Sequence, residues 1–214
     1  MKERGMIFNA EMVRAILDGR KTQTRRVLAT YQDAVKFCPE WDVNGKQIFI
    51  VLGEKDHTGM NPVITAIPCP FGQPGDRVWV RETFRVHSRA TDVATLVYRA
   101  SVRNSWTEQT HRVPIAVCDK PATPEKWTPS IHMPRWASRI LLEITDVRVE
   151  RLRDLSEEDA KSEGITPPAG GVLPGWEYRI NFRDLWMDIY GTDSWEANPW
   201  VWVIEFKRVE GATL

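Results

Sequence analysis

Apolar positions recur at helical spacing near the N-terminus. Met12, Val13, Ile16 and Leu17 share one face, Asn9 stands where an N-cap belongs, and Gly19 offers a left-handed stop, so the pattern predicts a helix over 9–18. Pro74, Gly75 and Asp76 form a turn signal that leads into alternation through 77–84, which predicts a strand; 95–100 reads as a second, shorter one. The clearest strand is 139–152, with alternation through Ile144, Val147 and Val149. Ser156 then caps a short helix opened by Glu157, Glu158 and Asp159, with Leu155 placed to staple onto Ala160 and Gly164 closing it. Phe182, Leu185, Trp186 and Ile189 mark one face of a third helix over 178–190, ended by Gly191. The last run, 200–207, is nearly all apolar, as in a strand covered on both faces.

Between these elements the pattern weakens. The stretch after the first helix reads as long and irregular, 101–135 as an elaborated loop, and 167–175 as a connection built on Pro167, Pro168, Gly170, Gly171, Pro174 and Gly175. Strands dispersed among three helices predict an α+β fold with a small closed or nearly closed sheet, in a single domain without repeats.

Composition narrows the classes. The 214 residues are 42% hydrophobic and 27% charged with zero formal net charge, an ordinary globular make-up with no global field to draw it to a polyanion. Charge is uneven, however: residues 1–30 hold seven basic and three acidic side chains, and 154–164 five acidic and one basic. No run approaches the roughly 18 apolar residues of a membrane helix, and no signal-like apolar core opens the chain, so a cytoplasmic protein is expected. Cys38, Cys69 and Cys118 form no close pair, which argues against a disulfide framework, and no metal site is predicted. Ten tryptophans (41, 79, 106, 127, 136, 176, 186, 195, 200 and 202) either pack in the core or line a cleft where a base could stack.

Candidate chemistry concentrates at Gly19-Arg20-Lys21-Thr22-Gln23-Thr24-Arg25-Arg26. If this is a turn beyond the helix, Lys21 and Thr24 reach one point. A lysine desolvated beside arginines loses proton affinity and can serve as a base, and a neighbouring hydroxyl can act as nucleophile. A solvated basic loop is the plainer alternative. Glu163, at the end of the acidic helix, could move a proton if the fold brings it to Lys21. Glu82, between Arg81 and Thr83, suits either pairing with an arginine or a pocket. The run 131–139, with His132, Arg135 and Trp136, suits either a nucleotide contact or a loop anchored by Trp136. Phosphate-loop, dinucleotide, G-x-S-x-G and H-E-x-x-H signatures are absent.

Taken in order, G-R-K-T-Q-T-R at 19–25, P-G-D at 74–76, L-S-E-E-D-A at 155–160 with Glu163 behind it, and V-I-E-F-K at 203–207 resemble the ASCH domain. That resemblance implies a PUA-like small β-barrel flanked by helices, with insertions near 28–70 and 85–135. The smallest bacterial members it resembles are N4-acetylcytidine amidohydrolases. On that likeness Thr24 is the nucleophile, Lys21 its activator and Glu163 the proton shuttle, in a reaction that needs no cofactor. Arg20, Arg25, Arg26, Arg81, Glu82, His132, Arg135 and Trp136 become candidate substrate contacts. The longer form, with C-P-F-G-Q-P-G-D-R-V-W-V-R-E-T-F and I-H-M-P-R-W-A-S-R, is similar to bacteriophage and prophage proteins. The partner implied is a modified nucleoside or RNA; a non-catalytic RNA- or nucleotide-binding module and a ribonuclease are the alternatives. No membrane or protein partner is deduced.

Overall fold

The first helix forms where its spacing places it. In the computed structural model, which describes residues 1–101, 110–166 and 177–209, α1 covers Ala10–Leu17. Asn9 Oδ1 accepts from the Met12 amide at 2.8 Å, Gly19 turns the chain out at φ +74°, and Val13, Ala15 and Ile16 are buried. The capped second helix, α2 (Glu157–Ser162), carries a full capping box: the Asp159 amide donates to Ser156 Oγ at 3.0 Å, and the Ser156 amide donates to Asp159 Oδ2 at 3.1 Å. The third, α3, covers Glu177–Tyr190. The connection at 167–175, Trp106 and Trp176 lie outside the described residues.

Strands dominate. They are β1 (Glu3–Ile7), β2 (Gln23–Val27), β3 (Lys36–Trp41), β4 (Gln47–Leu52), β5 (Val63–Ile67), β6 (Arg77–Arg81), β7 (Phe84–Arg89), β8 (Val93–Tyr98), β9 (Thr110–Pro114), β10 (Leu141–Arg151) and β11 (Trp200–Arg208). The fold is mixed α+β, as expected; of the small closed or nearly closed sheet expected with it, among the described residues no sheet closes into a barrel. Three further expectations are corrected. The chain after α1 is not irregular: it becomes β2 at Gln23, and the segment read as the first insertion forms the antiparallel sheet β3-β4-β5. The 77–84 strand divides at Glu82 and Thr83, because Glu82 turns inward to an arginine. The supposed loop over 101–135 contains β9, which completes the antiparallel sheet β7-β8-β9, and a 3-10 turn at Ser130–His132.

The described chain divides into two compact units, each discontinuous in sequence. One comprises Met1–Gly19, Arg77–Glu143 and the described end from Lys207; the other comprises Arg20–Asp76 and Ile144–Phe206. In the first unit, β1 runs parallel to β6, and β6 pairs antiparallel with Leu141–Glu143 of β10. Its core gathers Phe84, Val86, Leu96, Tyr98 and Met133, with Trp136 set edge-on to Phe84 at 6.2 Å.

In the second unit the order is β10-β11-β2, and β2 pairs antiparallel with β11 in the register Gln23↔Glu205, Arg25↔Val203, Val27↔Val201. Directly paired residues share a face, and faces alternate along a strand. Val27, Val201 and Val203 therefore meet Ala160 of α2 and Phe182 and Trp186 of α3 on one side. On the other side Trp202 packs edge-on to Phe49 at 5.1 Å, and Trp200 packs edge-on to Phe37 at 5.0 Å. Helices cover one face of this sheet and β3-β4 the other.

Gly5 in β1 has a specific reason. A Cβ there would stand 2.6 Å from Trp79 Cζ2 and 2.8 Å from Arg81 Cδ, so the missing side chain makes room for the indole. Arg81 covers the same ring at 5.5 Å from its centroid. Gly5→Ala is expected to cost ~1–3 kcal/mol, as overpacking does, read as a lower urea midpoint with unchanged slope.

Candidate functional site: a buried lysine–glutamate–arginine cluster

Lys21 stands just before β2, and the alternation that continues from it decides what it meets. Lys21, Gln23 and Arg25 turn to the face covered by α2. Lys21 Nζ donates to Glu163 Oε2 at 2.7 Å and to the Glu163 backbone carbonyl at 2.9 Å. Arg25 Nη1 donates to Glu163 Oε1 at 3.2 Å, so each carboxylate oxygen of Glu163 holds one cation. The Lys21 side chain has no exposed surface and that of Glu163 only 4%.

The backbone supports this meeting. Glu163 is the C-cap of α2, Gly164 at φ +81° takes the chain onward, the Thr22 amide donates to the Ser162 carbonyl at 2.8 Å, and Lys21 and Glu163 form an isolated antiparallel bridge. A cation against the terminal carbonyl of α2 also complements the negative end of its dipole. Arg20 Nη1 donates to the Gly164 carbonyl at 2.9 Å, so it secures the same turn.

Further groups surround the pair. Arg25 Nη2 reaches Glu150 at 3.2 Å and Asp159 at 3.5 Å. Arg148 donates to Glu150 at 2.6 Å, to Asp159 at 3.1 Å and to Glu205. Gln23 Nε2 donates to the carbonyl and to Oδ1 of Asp159, both at 3.1 Å. Sequence reasoning missed Gln23, Arg148, Glu150 and Glu205, and saw Asp159 only as a helix-start acid. The period-2 placement of Glu205 in an apolar strand was the available signal.

Protonation follows the surroundings. Burial lowers the proton affinity of Lys21; Glu163 opposes that by charge and hydrogen bond, Arg26 and Arg25 add to it, and the net direction is downward. Burial pushes the Asp159 carboxyl up, but the Ser156 hydroxyl and amide, then Arg25 and Gln23, outweigh it and hold it at about 2.

The other predicted residues fall elsewhere. Thr24 is buried, but it pairs with Ile204 on the opposite face of β2, the face of Trp202 and Phe49. Lys21 and Thr24 thus belong to a bridge and a strand, not to the turn expected, and their side chains leave the backbone in opposite directions. Arg26 lies on the Thr24 face, paired with Trp202. Arg81, Glu82, His132, Arg135 and Trp136 belong to the first unit. Arg81 Nε donates to the Ser130 carbonyl at 3.2 Å, Arg135 pairs with Glu3 at 3.0 Å, His132 is exposed, and Trp136 is the packed anchor of its loop. Glu82, 2% exposed, takes the arginine pairing: Arg139 Nε and Nη2 donate to Oε1 and Oε2 at 2.9 and 3.0 Å.

Compared with protein-family models, curated proteins and solved structures, the chain matches none.

Two outcomes follow from the cluster. Glu163→Gln leaves Lys21 and Arg25 without their shared carboxylate, and should cost about 3–5 kcal/mol in urea unfolding. Asp159 has a depressed folded value, so its stabilisation is full above 3.8 and fades as pH falls toward about 2. Asp159→Asn should flatten that limb of an acid-denaturation curve.

Proposed function

We propose that the chain is an acyl-amide hydrolase acting on N4-acetylcytidine or a related modified nucleoside, on an ASCH-type, PUA-like fold. The observation that carries this reading is the 2.7 Å contact between Lys21 and Glu163, two residues 142 positions apart that the resemblance assigns to one site. Depressed proton affinity suits Lys21 to act as a base, and a bonded carboxylate suits Glu163 to pass a proton on. In the reaction a nucleophile adds to the acyl carbon, the bond to N4 breaks and N4 receives a proton, releasing cytidine; acetate leaves with an oxygen from water, either because water is that nucleophile or because water then hydrolyses the acyl–Thr24 ester.

The resemblance assigns the nucleophile to Thr24. Because the Thr24 side chain leaves the far face of β2, a second version has water attack with Lys21 as its base. Thr24→Val separates the two: lost turnover selects the hydroxyl, and retained turnover selects water.

A non-catalytic RNA- or nucleotide-binding module is the other reading, favoured by the engagement of both Glu163 oxygens with cations. Retained, salt-dependent RNA binding without turnover would select it.

The purified chain should release cytidine from N4-acetylcytidine, followed by chromatography. Lys21→Ala should lose about 10²–10⁴-fold, the usual worth of a positioned base. Because Lys21 must be neutral to act, kcat/KM should rise with pH through a value below 10.5, and that limb should vanish with the variant. No turnover by concentrated wild-type protein would end the proposal.

A further inference from the structure

A cavity of about 520 Å³ lies in the first unit beside the start of α1. Its size is within the roughly 300–1,000 Å³ of small-molecule sites. Phe8 and Ala100 give it apolar wall, Glu82, Arg14 and Arg99 give it charge, and the exposed Glu11 adds a second carboxylate at its edge. The Lys21–Glu163 pair belongs to the other unit and takes no part in it.

The charges divide by role. Glu82 is buried and fixed, because Arg139 grips both carboxylate oxygens while its Nη1 donates to Ser101 Oγ at 2.9 Å and its guanidinium lies 4.0 Å from the Tyr98 ring centroid. Each carboxylate oxygen keeps lone-pair capacity after one bond from Arg139, and an ionised carboxylate can only accept. Arg99 is exposed, Arg14 is half-buried with a 3.4 Å contact to the Ala100 carbonyl, and neither enters an ion pair among the described residues. A fixed acceptor in the wall and two guanidiniums beside it select a ligand with a hydrogen-bond donor at one end and an anion at the other.

We propose that this cavity binds a nucleoside monophosphate with an amino-bearing base, the exocyclic amine donating to Glu82 and the phosphate meeting Arg14 and Arg99. Carboxylates accept from the amine of cytosine, and guanidinium–phosphate bonds are among the strong charge-assisted ones. A smaller zwitterion could satisfy both ends only by leaving much of the volume to water.

Titration calorimetry on the full chain tests this with cytidine, adenosine and uridine 5′-monophosphates and with cytidine. The cytosine and adenine nucleotides should saturate with Kd below about 1 mM. Uridine monophosphate, whose O4 would face Glu82, and cytidine, which lacks the phosphate, should each bind about tenfold more weakly. Arg99→Ala, at an exposed side chain and so tolerated by the fold, should also lose about tenfold. Absent binding of both amino-bearing nucleotides, equal binding of the uridine nucleotide, or an unaltered Arg99→Ala would each overturn the proposal.

Discussion

The carboxylate of Glu163 is the constraint on which the second unit depends. It accepts from Lys21 on one oxygen and from Arg25 on the other, in surroundings that leave both cation side chains without exposed surface. Removing such charges from water costs several kcal/mol per ion, and only close geometry with satisfied donors offsets that. The offset is assembled from three places at once: the end of α2 presents Glu163, the chain entering β2 presents Lys21 and Arg25, and β10 presents Glu150. None of these elements can shift without exposing a buried charge to apolar surroundings.

The first unit meets a similar problem with fewer parts. Glu82 breaks the run of strand between β6 and β7 and is answered by one arginine, whose plane is set by Tyr98 and Ser101. Around it the core is apolar, from Phe84 to Met133, so a single ion pair is embedded in hydrophobic packing. In the second unit three cations, Lys21, Arg25 and Arg148, and four carboxylates, Glu150, Asp159, Glu163 and Glu205, form a shared network. The two arrangements differ in what they leave available: an isolated pair with spare acceptor capacity, and a cluster in which Glu150, Asp159 and Glu163 each accept from more than one residue.

What was legible in the chain is what local chemistry determines. Asn9 and Ser156 announce their helices because a capping side chain acts within three residues of itself. β10 and β11 announce themselves because burial demands β-branched and aromatic residues there. β2 did not, because Gln23, Thr24, Arg25 and Arg26 show no apolar alternation; their partners come from residues more than a hundred positions away. β3 was obscured by Pro39, which an edge strand tolerates where a central one would not. Of the candidate site, Lys21 and Glu163 were found together, while the face on which Thr24 lies could not be read until β2 was known to be a strand.

The strict division of β2 into two faces also bears on strand pairing. Sliding β2 by one residue along β11 would turn Arg25 toward Phe49 and Trp202 and leave Thr24 and Arg26 opposite Asp159 and Glu163. An apolar strand pair would register such a slip as lost packing alone. Here the misaligned state would also carry Lys21, Gln23 and Arg25 away from Asp159 and Glu163 and offer those carboxylates Arg26 alone in their place. The buried charges therefore act as a key cut for one alignment, rejecting neighbouring registers whatever chemistry the site performs.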